Sequence, residues 1–201
     1  MEGHWHHWPS RRYCLTFGRV ALTFVCSLSL GKPPHSPYPP DLADGATPVG
    51  DFGDLIDAEV ENADWANQRA PRFLARRVEL RRSRLTGAEL AEATLIDVTF
   101  LDCRLDLVGF RLANLERVVF RDCRMTECDF YEASLKDVLF EHCELREATL
   151  SSAKIQRVEV RGCDLAGLRG VEALRGARMP WNDVLENAPL FANALGIEII
   201  E

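Results

Sequence analysis

The sequence predicts an all-β solenoid, a chain that passes through four short walls per turn and stacks each turn on the last. Two observations carry that expectation. A motif with Val first and Leu or Met last, and Cys or Ser third from its end, returns every twenty residues: VELRRSRL (78–85), VTFLDCRL (98–105), VVFRDCRM (118–125), VLFEHCEL (138–145) and VEVRGCDL (158–165). A shorter period of five runs inside it. Every fifth residue from Leu80 to Leu165 is large and apolar, and the residue two before each is small or β-branched, from Val78 to Cys163.

A period of five matches neither a helix nor a strand. A continuous helix turns every ~3.6 residues and would smear such a repeat around its surface, and a long strand, with its period of two, would send Leu80 and Leu85 to opposite faces. The chain therefore has to turn once per unit. Two inward residues separated by one outward residue make a short strand, and the remaining two residues make a bend. Four bends close a square turn, so a residue and its copy twenty later stack on one wall. The three Phe of one wall, Phe100, Phe120 and Phe140, should then stack ring over ring at roughly the 4.8 Å spacing of neighbouring strands.

The elements follow in chain order. Residues 1–40 read as a leader and Pro-rich linker, disordered or misassigned. Basic residues precede the apolar stretch YCLTFGRVALTFVCSLSLG, but Arg19 interrupts it and no A-x-A cleavage site follows. The alternative is a genuine targeting segment over residues 13–30, giving an exported or membrane-anchored protein. His4, His6 and His7 could hold a metal, and the plainer reading is an exposed tag. Residues 41–75 form an acidic segment with weak or irregular repeats. Eight acids and no Lys or Arg lie between Asp41 and Asp64. Residues 68–77 depart from the pattern, with Ala70 and Ala75 where a large residue belongs and Pro71 between them, so an irregular coil or bulge is expected there. Residues 76–167 are the regular solenoid. Residues 168–201 close it with a last turn and a helical cap, in which Asn182 or Asp183 caps the start, Pro189 kinks the segment or opens a second helix, and Gly196 ends it. Trp181, Leu185, Leu190, Phe191 and Leu195 are its apolar side, and IEII (197–200) is placed along a sheet edge.

The units ANLER (113–117), CDFYE (128–132), ASLKD (133–137) and CDLAG (163–167) resemble the A-(D/N)-L-x-x unit of the pentapeptide-repeat family. The resemblance covers roughly residues 76–167, with weaker units AEVEN (58–62) and ADWAN (63–67) upstream. It implies a right-handed quadrilateral parallel β-helix. Some members of that family mimic duplex DNA, bind type II topoisomerases and protect them from quinolones.

Chemistry is sparse. The net charge is −7, but residues 76–165 hold 15 basic and 17 acidic side chains, finely mixed. No basic stripe marks a phosphate-binding surface, so direct nucleic-acid binding is not expected. Five Cys in the body, without a CxxC pair, fit neither a secreted disulfide framework nor a zinc site. They point to a reducing cytoplasm and to Cys used as a small core hydrophobe. No phosphate loop, nucleophile elbow or metal-ligand cluster is present, and His142 is a lone outward His. No catalytic, cofactor-binding or metal residue is assigned, and no cofactor is expected. The expected function is a non-catalytic scaffold or protein-interaction module with a protein partner. A homodimer through the C-terminal cap is the companion expectation. A DNA-mimic binder of type II topoisomerase and a membrane-associated role through residues 13–30 are the alternatives.

Overall fold

The computed structural model describes residues 53–200, together with the backbone of residues 13–17 and 20–24. Strands β1 (Tyr13–Phe17) and β2 (Val20–Phe24) pair antiparallel, Tyr13 opposite Phe24. The rest of residues 1–40, including the three His near the start and the Pro-rich stretch, lies outside the described residues. No described helix is long and apolar enough to cross a membrane.

From Leu55 onward the chain is a parallel β-solenoid of about five coils, as the five-residue period requires. Strands β3 (Leu55–Glu61), β4 (Leu74–Arg81), β5 (Thr94–Leu101), β6 (Asn114–Arg121), β7 (Ser134–Lys136), β8 (Leu139–Glu141), β9 (Lys154–Gln156) and β10 (Glu159–Arg161) line two adjacent walls. They pair parallel in a strict twenty-residue register: Val78 with Val98, Val98 with Val118, Phe100 with Phe120, Phe120 with Phe140. The other two walls are joined by single parallel bridges at the same spacing, such as Arg84 to Arg104 and Glu89 to Gly109.

Both inward positions of each unit point into one continuous core. From Val78 to Leu165 they are all buried except Ala153 and Ile155, which are partly buried near the C-terminal end. Phe120 stacks on Phe100 at 4.9 Å and on Phe140 at 5.1 Å, with ring planes within 7°. A second stack, Phe110 on Phe130 at 5.0 Å, meets it edge-on.

Each unit turns through one left-handed residue. Positive φ recurs every five positions from Asp57 to Gly167. At two corners of each coil a hydrogen-bonded reverse turn forms, as where Ala88 N–H donates to Leu85 C=O at 2.8 Å across Gly87. A positive φ at the third residue is the geometry of a type II turn. Of these corner residues only three are Gly. The others are Asp, Asn, Arg, Glu, Leu, Ser and His, and none is β-branched. A branched Cβ fits the left-handed region worst.

Residues 68–77 do not form the expected irregular coil. Asn67, Arg72 and Arg77 keep the corner geometry, and β4 begins at Leu74 in register with β5. The two inward positions have exchanged sizes: Phe73 stands where a small residue usually does and Ala75 where a large one does, and both are buried. The pair fills the wall with nearly the usual volume, which is what a packed core responds to.

The closing segment is one more rung followed by two short helices. Arg178 bonds back to Val158 and Val160, both at 2.9 Å. A 3-10 turn at Val171–Leu174 precedes α1 (Trp181–Glu186) and α2 (Ala188–Ala194). Pro189 opens the second helix, and Gly196 (φ 71) follows its end. Neither Asn182 nor Asp183 caps α1; Pro180 occupies that position. The Asp183 carboxylate instead accepts a 2.5 Å hydrogen bond from Gly162 N–H, tying the helix to the last coil. Only Leu190 and Phe191 of the expected apolar side pack on the core. Trp181, Leu185 and Leu195 are exposed, and so are Ile197, Ile199 and Ile200, which pair with no sheet edge. Two helices of six and seven residues are too short to turn five apolar side chains onto one coil end.

Candidate functional site

The Cys column is the first place to look for chemistry. Cys103, Cys123, Cys143 and Cys163 stand one coil apart on one wall, below Ser83 at the same position, and all are free and buried. Each thiol donates to the carbonyl two residues before it, at 3.2–3.4 Å. Ser83 does the same through its hydroxyl at 2.9 Å. Cys103, Cys123 and Cys143 also reach carbonyls of the coil before, those of Leu80, Phe100 and Phe120, at 3.4–3.5 Å, so the column is a row of small side chains satisfied by backbone. Contact with the Cys103 and Cys143 thiols, together with burial, pushes the Cys123 thiol up, and the same contacts pull Cys103 and Cys143 down; burial, with the nearby charges of Asp106 and Asp129, raises Cys128. Enclosed in the core, these thiols are out of reach of an incoming metal ion or electrophile. Among the described residues no group of three or more His, Cys, Asp or Glu is placed to hold a metal ion.

The outer surface is ordered by the same twenty-residue stacking. One corner column reads Asp57, Arg77, Asp97, Arg117, Asp137, Arg157, strictly alternating in sign. Its members pair two by two: Arg77 with Asp57, Arg117 with Asp97 at 2.7 Å and Arg157 with Asp137, each through two hydrogen bonds. Lys136 and Arg117 both reach Glu116, at 2.8 and 2.5 Å. Arg124 pairs with Asp106 at 3.1 Å and Arg146 with Asp164 at 3.5 Å, so the mixed charges read from the sequence pair between coils.

The guanidinium of Arg157 holds the Asp137 carboxyl below the usual carboxylate range, and Lys136 does the same for Glu116. A carboxyl whose folded pKa is depressed stabilises the fold above its unfolded value, and that contribution is lost as pH falls through the folded one. The thermal midpoint should therefore fall as pH drops below about 4, the unfolded carboxylate range. Asp137→Asn should flatten that fall, measured by circular dichroism melts across the acid range. An unchanged slope would mean the pair adds nothing to stability.

Not every outward position is solvated. Glu79, Thr99, Val119 and Leu139 form a column on the outer side of one wall and are all buried, Val119 to 1% exposure. Spacing alone assigns these residues outward, and it carries no signal for their burial. His142 is exposed at a corner, as expected, beside Gly162. A cleft of about 640 Å³ lies between residues 162–167 and the cap, bordered by Glu186, Asn187, Leu190 and Asn193. Its charged groups are Asp164, paired with Arg146, and Glu186.

Leu107 and Leu112 occupy consecutive corners of one coil and are 55% and 52% exposed. Among the described residues they are the only apolar side chains at a left-handed corner. The five-residue count did not single them out, although a large aliphatic side chain at a position elsewhere polar or Gly was the available signal.

A family model described as a pentapeptide repeat region matches residues 73–150 and, overlapping, 95–170. No curated protein sequence matches the chain. Among solved structures, a pentapeptide repeat protein of the Arabidopsis thaliana thylakoid lumen is 17% identical, with a TM-score of 0.46 over 49% of this chain and 69% of that one. The plasmid-mediated fluoroquinolone resistance protein QnrB1 is 13% identical, with a TM-score of 0.45 over 69% of this chain and 100% of that one. Rfr23, a pentapeptide repeat protein of the cyanobacterium Cyanothece 51142, is 14% identical, with a TM-score of 0.26 over 62% and 88%.

Proposed function

Because the chain is a pentapeptide repeat protein over residues 73–170, we propose that it is a non-catalytic scaffold that works by binding another protein along its regular outer faces, in a reducing compartment. The observation that carries this reading is the division of chemistry between inside and outside. The thiols of the solenoid are enclosed and bonded to backbone, while the outer faces repeat at a fixed twenty-residue register. Solenoids present such surfaces to partners, and their rigidity keeps the ordering cost of binding low.

DNA mimicry is the weaker reading for this surface. A mimic needs an unbroken acidic stripe, and the corner column here alternates Asp with Arg and closes each carboxylate into a pair. The exposed Trp181, Leu185 and Leu195 on the cap support self-association through that end.

The test is affinity purification of the full chain from its native cell, read by mass spectrometry, beside a gyrase supercoiling assay and sedimentation of the purified protein. A reproducible protein partner, no gyrase inhibition at micromolar protein and a dimer disrupted by Trp181→Ser are expected. Potent gyrase inhibition would replace the scaffold reading with mimicry. Failure to capture any partner would remove its support, and a monomer would remove the cap contact.

A further inference from the structure

The wall between the Leu107 and Leu112 corners differs from the rest of the surface. Resting on the interaction-module reading, we propose that this wall is the docking face, and that its occupant is a cationic amphipathic segment of a protein partner.

Three observations converge on it. The first is apolar exposure. Both leucines hold φ near 60°, a conformation that costs a non-Gly residue roughly 1–2 kcal/mol. The other corners carry polar residues or Gly. The left-handed turn is common to every corner, so what sets this wall apart is the aliphatic surface held out into solvent there.

The second is shape. Between the two leucines the wall carries Gly109, above which no atom lies within 4 Å of where a Cβ would stand. The two side chains are thus ridges on either side of an open strip. Glu89 and Asp129 stand directly before and after Gly109 in the stack.

The third is charge. Glu127 is the next corner residue after Leu107 in its column, and Glu92 and Glu132 flank Leu112 in the next column. All three are exposed. Among the described residues none of them has an ion-pair partner, whereas Glu89 is paired with Arg69 at 2.9 Å and Asp129 with Arg111 at 2.8 Å. Arg111 is further held over the Tyr131 ring at 4.6 Å. The Asp/Arg corner column closes each of its carboxylates into a pair. Here the carboxylates around the leucines are left uncompensated. An apolar strip framed by unneutralised carboxylates is complementary to a segment that carries aliphatic and basic side chains together.

The experiment uses the full chain and a fluorescent synthetic peptide of interleaved Leu and Arg, with an Arg/Ser peptide of equal charge as comparator. Wild type should bind the Leu/Arg peptide, more weakly as salt rises. Leu107→Asn with Leu112→Asn should weaken binding at least about tenfold, because exposed anchors carry most of an interface's energy. Asn tolerates the left-handed corner, so the variant keeps the fold, checked by an unchanged melt. Glu92→Gln with Glu127→Gln should weaken binding and reduce its salt dependence, whereas Asp122→Asn at another corner should not. Equal binding of the Arg/Ser peptide, or no loss in the double Leu variant, overturns the proposal. So does self-association of the wild type that the double Leu variant abolishes, since the occupant is then a second copy. If the double Leu variant captures the same cellular partner as wild type, this face is wrong while the scaffold reading survives. If wild type captures none, the scaffold reading fails on its own account.

Discussion

Replacing Phe120 with Ala should destabilise the protein by about 3–5 kcal/mol, the usual cost of emptying a buried aromatic site. Phe120 is fully buried and touches four other rings. It is stacked between Phe100 and Phe140 and meets Phe110 and Phe130 edge-on. Each ring pair adds roughly 0.5–1.5 kcal/mol beyond burial, and the void has no mobile neighbour to fill it because every wall is pinned by its register. Cys123, three residues on and equally enclosed, should behave differently. Its thiol is small and bonds backbone carbonyls, of Arg121 and of Phe100 in the coil before, so Cys123→Ala or Cys123→Val should cost less than about 1.5 kcal/mol. Asp122→Ser at the exposed corner should stay within about 0.5 kcal/mol. Denaturant midpoints with unchanged m-values decide the matter. If Cys123 proved as costly as Phe120, or if a chelator moved the wild-type midpoint, the thiol column would be a functional site and not a wall.

The second large effect belongs to Gly170→Ala. Gly170 has φ 73, and a Cβ there would lie 2.4 Å from Ser151 N and 2.6 Å from Ser151 Cα. Those atoms belong to the backbone of the coil beneath and cannot swing aside as a side-chain tip can. Left-handed strain of roughly 1–2 kcal/mol adds to an overpacking cost of about 1–3 kcal/mol, for a loss of about 2–5 kcal/mol. Gly176→Ala is the matched control. Its φ is 85, but nothing lies within 4 Å of the added methyl, so only the strain remains. Thermal or denaturant unfolding of both variants separates the terms. Equal losses at the two positions would mean that strain alone governs this end of the solenoid.

The solenoid was legible because every unit repeats one physical instruction: two inward side chains, one outward, then a corner. Val78 through Leu165 satisfy it without interruption, so the period survives any single substitution. The Phe73 and Ala75 exchange was misread because a five-residue count scores each position separately, whereas the core responds to their joint volume. The corner residues were legible in principle, from the absence of β-branched types at Asp57, Asn62, Asn67 and onward. The cap was less so. Asp183 resembles a helix cap in sequence, and only the fold brings Gly162 N–H within its reach. The open strip at Gly109 depends on its stacking between Glu89 and Asp129, twenty residues away on either side, which no local window displays. The candidate docking face did leave a signal, Leu107 and Leu112 at positions elsewhere polar or Gly, but a count that scores only the inward pair of each unit passes over it.

The alternating Asp/Arg column also bears on how such a chain can lengthen or shorten. Its pairs join coils two at a time: Asp57 with Arg77, Asp97 with Arg117, Asp137 with Arg157. Excising one coil around Arg77 would set Asp57 directly against Asp97, carboxylate over carboxylate at strand spacing. Excising two coils, Arg77 together with Asp97, would bring Asp57 against Arg117 and restore the alternation. The backbone repeats with one coil and the charge of this column with two, so along this corner the unit that can be gained or lost without electrostatic conflict is the double coil.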